Sequence, residues 1–184
     1  MTPGRRWIGI VLAAAGLLLT LAPSRVEAQG RRNLRLSLLA GVGGSVDEDQ
    51  AGLGNSSFQV GFAFETTTDT VLRVDVGAIS FDQTDAIGRL ADPSVEYVTV
   101  GGEYQFQEEI YRSGLFFGLG AYRLEGLLAG QPEEETSIGL NLGATGDFAI
   151  TDTVSVLGEI AFHVVESDIA NLFATAHVGL ALHF

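Results

Sequence analysis

The chain of 184 residues contains no cysteine and no lysine, a single tryptophan, a single methionine and four prolines. Without cysteine there is no disulfide framework, no thiolate metal site and no thiol nucleophile. Without lysine, ten arginines stand against 23 acidic residues, and the formal net charge is −13. That balance excludes a nucleic-acid binder, which needs a basic stripe to neutralise phosphates. Charged residues make up only 18% of the chain while hydrophobic residues reach 46%, so a disordered acidic tail is excluded as well. Also missing is an apolar run of the roughly 20 residues that a helix needs to cross a bilayer. The longest, Trp7 to Ala22, falls short.

That run reads as an address. Arg5 and Arg6 precede it, and a polar stretch from Pro23 ends in Val26-Glu27-Ala28, small at its last position. This is the build of a secretory signal peptide, with cleavage expected after Ala28. Residues 1–28 are then leader and 29–184 a single domain. Losing Arg5, Arg6, Arg25 and Glu27 leaves seven arginines against 22 acids in 156 residues, a charge of −15.

Alternation with period two dominates the remainder. Between Asn33 and Gly43, Leu34, Leu36, Leu38, Ala40 and Val42 alternate with Arg35, Ser37, Gly41 and Gly43, giving one greasy face and one small or polar face. The pattern returns in Ser57–Glu65, Val71–Phe81 and Val95–Phe106. It continues in Gly114–Leu124, Ser137–Phe148, Val154–Val165 and Leu172–Phe184, so eight strands are predicted. Their connections alternate in length. Gly44–Ser56, Asp82–Ser94 and Glu125–Thr136 are long and rich in Asp, Glu, Gly and Pro, with Glu166–Asn171 a shorter fourth, whereas Thr66–Thr70, Gln107–Ser113 and Ala149–Thr153 are tight. The expectation is an all-β, eight-stranded antiparallel up-and-down transmembrane β-barrel behind a cleaved signal peptide.

Aromatic placement supports it independently of the alternation. Phe64, Tyr104, Phe106 and Phe148, with Phe184, fall on the apolar face at the short-turn ends of their strands, where an interfacial girdle belongs. The competing arrangement is a soluble lipocalin-like ligand carrier, whose greasy face points inward. Its polar face would have to be a solvated exterior, and here that face is glycine-rich and free of lysine.

The ending Val178-Gly179-Leu180-Ala181-Leu182-His183-Phe184 resembles the C-terminal signature of bacterial outer-membrane barrel proteins. Residues 29–184 as a whole are similar to the small eight-stranded class of OmpX and the OmpA transmembrane domain. The resemblance implies an exported, integral outer-membrane protein. It also implies that Val178, Leu180, Leu182 and Phe184 form the segment read by the barrel-assembly machinery. Members of that class are adhesins, anchors, narrow pores or enzymes, so no activity is carried over.

Chemistry is therefore sought in the lumen and loops. A polar network of Arg35, Arg73, Asp75, Glu103, Glu159 and His177 is expected on the inward face, with Glu65 and Asp147 nearer the short-turn end. If the last hairpin folds about Asp168, Glu159 lies across from His177, close enough to hydrogen-bond. Such a set either plugs the barrel or lines a narrow path, which its excess of acids would make cation-preferring. His163, His177 and His183 are spread along the strands, so no metal site and no cofactor are expected. His163 and Ser167 share a face about 13 Å apart, too far for a nucleophile and its base, and no catalytic site is expected. Acidic residues crowd the long connections: Asp47, Glu48, Asp49; Asp82, Asp85, Asp92; Glu133, Glu134, Glu135; Glu166 and Asp168. These keep the surface solvated, bridge to lipopolysaccharide through divalent cations, or meet a basic partner. The expected protein is a monomeric, non-enzymatic barrel with an envelope-structural or surface-interaction role. Its expected partners are outer-membrane lipid and lipopolysaccharide; a narrow cation channel and, further off, a lipid-modifying enzyme are the alternatives.

Overall fold

A computed structural model describes residues 33–46, 55–80, 90–107, 111–128, 131–166 and 171–184. The predicted leader and its cleavage point lie outside these residues, as do Asp47, Glu48, Asp49, Asp82, Asp85, Ser167 and Asp168. Eight strands follow in order: β1 Leu34–Ser45, β2 Asn55–Glu65, β3 Thr70–Ser80, β4 Leu90–Gln107, β5 Tyr111–Leu128, β6 Gln131–Ala149, β7 Val154–Val165 and β8 Leu172–His183. Each pairs antiparallel with the next, and β8 pairs with β1 to close the barrel. At the seam the Leu34 N–H donates to the Phe184 carbonyl at 3.3 Å and the Phe184 N–H to the Leu34 carbonyl at 2.8 Å.

Register fixes the dimensions. Stepping from partner to partner around the barrel from Leu34 through Phe64, Leu72, Gly102, Phe117, Leu142, Phe162 and Ala174 returns to β1 at Gly44, ten positions along the strand. With eight strands, that stagger gives a tilt of about 40° and a backbone radius of about 8 Å, an interior that side chains alone can fill.

Alternation decides which face points where. Leu38 is 66% exposed and its neighbour Leu39 only 2%. The even positions of β1, with Phe58, Leu72, Val100, Leu119, Ile160 and Val178, all point outward. The inside-out, lipocalin-like arrangement is thereby overturned: the greasy face is the exterior. On β7 it runs from Val154 to Val164, which at this tilt is a band about 25 Å tall, the thickness a hydrocarbon layer demands. Phe64, Tyr104, Phe106, Phe148 and Phe184 stand outward at the short-turn end, and Tyr111 joins them, its ring 4.5 Å from that of Phe148. The β2–β3 and β6–β7 turns close on threonine. Thr66 donates both N–H and Oγ1 to the Thr70 carbonyl, and Thr151 Oγ1 accepts from the N–H groups of Thr153 and Val154.

The long-connection side departs from expectation. Glu125–Thr136 is not a loop: β5 runs on to Leu128 and β6 begins at Gln131, the two remaining in register to Leu128 opposite Gln131. β4 likewise begins at Leu90 and follows β5 through an irregularity between Ala91 and Ser94. Acidic and turn-forming residues mark this stretch as loop in the sequence, but a hairpin already aligned by the barrel extends at little entropic cost, and Glu134 is exposed to water.

Two arginine substitutions test the bilayer-facing assignment. Ile160→Arg, at mid-height of the band, is expected to cost about 2–4 kcal/mol in chemical unfolding from lipid vesicles, and Val164→Arg, near the rim, about 0–1 kcal/mol. Equal, small costs at both positions would show that this face is not in hydrocarbon.

Candidate functional site

All six network residues expected in the lumen point into it and are buried. Arg73, on β3, is the hub. Its Nε donates to Asp75 Oδ2 at 2.7 Å, Nη2 to Glu159 Oε2 at 2.6 Å and Nη1 to Glu103 Oε2 at 3.4 Å, while its guanidinium carbon lies 3.8 Å from the Phe116 ring centre. Phe116 reaches this position because residue 143 is glycine; a Cβ there would sit 2.5 Å from the ring. Arg35 donates from below, Nη2 to Glu103 Oε2 at 2.9 Å, and stands 3.7 Å from Asp147 Oδ2. Glu103 Oε1 accepts from Gln105 and Thr145, at 2.9 and 3.0 Å. Two guanidiniums thus bind four carboxylates, with amides and hydroxyls taking up other lone pairs, as buried charges require.

Glu159 and His177 face each other in register, but the expected hydrogen bond between them does not form. Glu159 Oε1 accepts from Gln59 Nε2 at 2.9 Å and Oε2 from Arg73, because a charged, multidentate donor outcompetes a lone imidazole. His177 Nε2 instead lies 2.8 Å from Ser57 Oγ. The Ser57 hydroxyl donates to the Ala78 carbonyl at 3.0 Å, which makes the imidazole the donor in that contact. Glu65 pairs with Arg112 at 3.1 Å near the short turns, and His183 Nε2 lies 2.8 Å from Ser155 and 3.6 Å from Asp147.

Above the charged belt the lumen becomes apolar. Ile79, Val95, Tyr97, Tyr122, Leu124, Val165 and Phe173 pack together at the long-connection end, all buried. Tyr97 donates to Gln59 Oε1 at 2.8 Å and its ring lies tilted against that of His163, centroids 4.9 Å apart, while Tyr122 OH lies 3.0 Å from His163 Nδ1. The sequence reading missed this seal. Its signal was large side chains at positions where alternation calls for small or polar ones, such as Tyr97, Tyr122 and Phe173. Among the described residues, no group of three His, Asp or Glu side chains is placed to hold a metal ion.

Outside, above the apolar band, Arg123 on β5 is ringed by Glu134, at 2.9 Å, Glu96, at 3.9 Å, and Glu125. Here β4, β5 and β6 outgrow the barrel. Pairing of β6 with β7 begins only at Gly139 opposite Val165, and that of β3 with β4 ends at Ser80 opposite Ser94. A three-stranded sheet therefore projects about 15 Å beyond the rim, with the β6 edge free of any described strand.

The closed eight-stranded barrel with its outward apolar band defines a small transmembrane β-barrel. Solved structures agree on the fold. Neisserial surface protein A superposes with a TM-score of 0.68 at 16% identity, covering 85% of this chain and 100% of that one. The N-terminal barrel domain of Pseudomonas aeruginosa OprF gives 0.63 at 12% identity over 85% and 100%. Ail, the attachment invasion locus protein of Yersinia pestis, gives 0.58 at 18% over 83% and 99%. No family model and no curated protein sequence matches the chain.

Arg73→Leu, which strips the shared cation from Asp75, Glu103 and Glu159, is expected to lower unfolding free energy by about 3–5 kcal/mol, and adding Glu159→Met to restore part of it. A single-variant loss below about 1 kcal/mol in detergent-solubilised protein would mean that the belt does not hold the barrel together.

Proposed function

We propose that the chain is a non-enzymatic, monomeric outer-membrane anchor that holds an acidic β-sheet above the bacterial surface for contact with other molecules. The observation that carries this reading is the projecting sheet: β5 and β6 stay paired to Leu128 and Gln131, well beyond the height at which a bilayer requires strands. Strand β6 carries Pro132 and the run Glu133 to Glu135, features that discourage edge-to-edge pairing between copies and favour a partner recognised by charge. Barrels of this fold include one called a surface protein and one called an attachment protein, which is in keeping with the role. Within the same proposal, residues 1–28 are a leader cleaved after Ala28, and the outward row Val178, Leu180, Leu182 and Phe184 is the segment recognised during assembly. Outer-membrane lipid and lipopolysaccharide surround the barrel. The lumen serves as a plug, since each carboxylate of the charged belt is paired with an arginine and the seal above it is packed.

Two measurements test this. Cells making the full chain are expected to show surface adhesion that is lost when residues 126–134 are replaced by a two-residue turn, while the shortened barrel still shifts in gel mobility on boiling. If the shortened barrel adheres as well as the full chain, or restores only the detergent resistance of a deletion strain, the role is envelope-structural. In planar bilayers the protein is expected to be silent; discrete cation-preferring conductance that falls with Glu103→Gln would replace the plug with a channel.

A further inference from the structure

All three histidines of the chain, His163, His177 and His183, are buried in the lumen. Imidazole is the side chain whose ordinary titration falls between about pH 5 and 8, so this protein keeps that chemistry inside the barrel. His163 is the histidine set in the apolar seal. It is 2% exposed, with its ring centre 4.9 Å from that of Tyr97 and 5.7 Å from that of Tyr122. Its hydrogen bonds are complete only while the ring is neutral. Tyr122 OH lies 3.0 Å from Nδ1, and Thr175 Oγ1 lies 3.4 Å from Nε2. No other described acceptor meets the Tyr122 hydroxyl, so its proton points at Nδ1 and the imidazole N–H points at Thr175. A second ring proton would occupy Nδ1. The phenol would lose its acceptor, and a positive charge would stand beside the apolar cluster that holds Tyr97 and Tyr122.

Among the described residues no carboxylate is placed to pair with that charge. Tyr97 comes from β4, Tyr122 from β5 and His177 from β8, and β7 itself supplies Glu159. Glu159 lies nearer the short turns, and its two oxygens already accept from Gln59 and Arg73. From β3, Arg73 adds like charge and Asp75 is taken up by Arg73. His177, across from Glu159, is bonded to Ser57. Strand β6 brings Asn141 opposite His163, and Asn141 does not ionise.

We propose that His163 is an acid-sensitive latch: the seal is shut while its imidazole is neutral, and it admits water and small cations once acid protonates the ring. Tyr97 stays tied to the belt through Gln59 and Glu159, so Tyr122 is the ring released. Below it, the belt sets four carboxylates against two guanidiniums, and that excess selects cations. The proposal rests on the lumen being plugged at neutral pH, and the test separates the two.

Protein purified from outer membranes is placed in planar bilayers at about pH 7.5 and about pH 5, either side of the ordinary imidazole range. The expected result is silence at neutral pH and cation-preferring openings about tenfold more frequent under acid, with His163→Gln silent at both. Glutamine offers an oxygen to Tyr122 and an N–H to Thr175 at every pH, so that variant keeps the seal. Should it fail to insert, His163→Leu combined with Tyr122→Phe removes both polar groups together and takes its place. His177→Gln and His183→Gln are expected to open with acid as the native chain does. Tyrosine emission gives a second readout, because the chain has four tyrosines and one tryptophan. In a Trp7→Phe, Tyr104→Phe, Tyr111→Phe background it comes from Tyr97 and Tyr122 alone. Its quenching by acrylamide is expected to rise about threefold with acid, reversibly, and to stay flat once His163→Gln is added. Silence and unchanged quenching under acid, in a heat-modifiable protein, would overturn the latch and leave the plug standing. Acid openings that persist in His163→Gln would give the response to the belt carboxylates or the other histidines and overturn the latch. Openings at neutral pH would overturn the plug and the latch with it.

Discussion

Everything in this molecule follows from the need to satisfy backbone hydrogen bonds where water is absent. An open sheet edge inside hydrocarbon leaves a row of unpaired N–H and C=O groups, each costing several kcal/mol, so β1 must meet β8. The seam between Leu34 and Phe184 is the physical form of that requirement. Once eight strands close with a ten-residue stagger, the radius is set, and the interior has room for side chains and little else.

What fills that interior is divided along the axis. Near the short turns and at mid-height it is ionic, with Arg35 and Arg73 shared among Asp75, Glu103, Asp147 and Glu159. Toward the long connections it is aromatic and aliphatic, closed by Tyr97, Tyr122 and Phe173. A buried ion network is a poor source of net stability, since desolvation consumes much of its Coulomb gain, but it is unforgiving of mispairing. A register shift of one residue would turn Arg73 into hydrocarbon and Leu72 into the charged belt. The belt therefore specifies register, and glycines such as Gly143 make room for the side chains that complete it.

Beyond the bilayer the constraint relaxes. Strands β4 to β6 continue where pairing is optional, β6 passes beyond its last pairing with β7, and charge reappears. The outer ring of Glu96, Glu125 and Glu134 about Arg123 marks the height at which the surroundings change from hydrocarbon to water. The proposed surface contact belongs beyond this boundary, while the lumen is filled by the barrel's own side chains.

The amino-acid sequence by itself determined the eight strands, the tight connections, the outward placement of Phe64, Tyr104, Phe106 and Phe148, and the inward placement of Arg73, Asp75, Glu103 and Glu159. All of these follow from period-two alternation, which is local and needs no partner. Tertiary structure alone decided the rest. Glu159 turns from His177 to Arg73 because the nearest charged donor comes from a strand 86 residues away in sequence. Glu125 to Leu128 and Gln131 to Thr136 are strand because β4 and β6 flank β5 there, overriding acidic residues that read as loop. The apolar seal arises from side chains on different strands brought to one height. Such coincidences depend on register and stagger around a closed ring, and no single stretch of sequence records them.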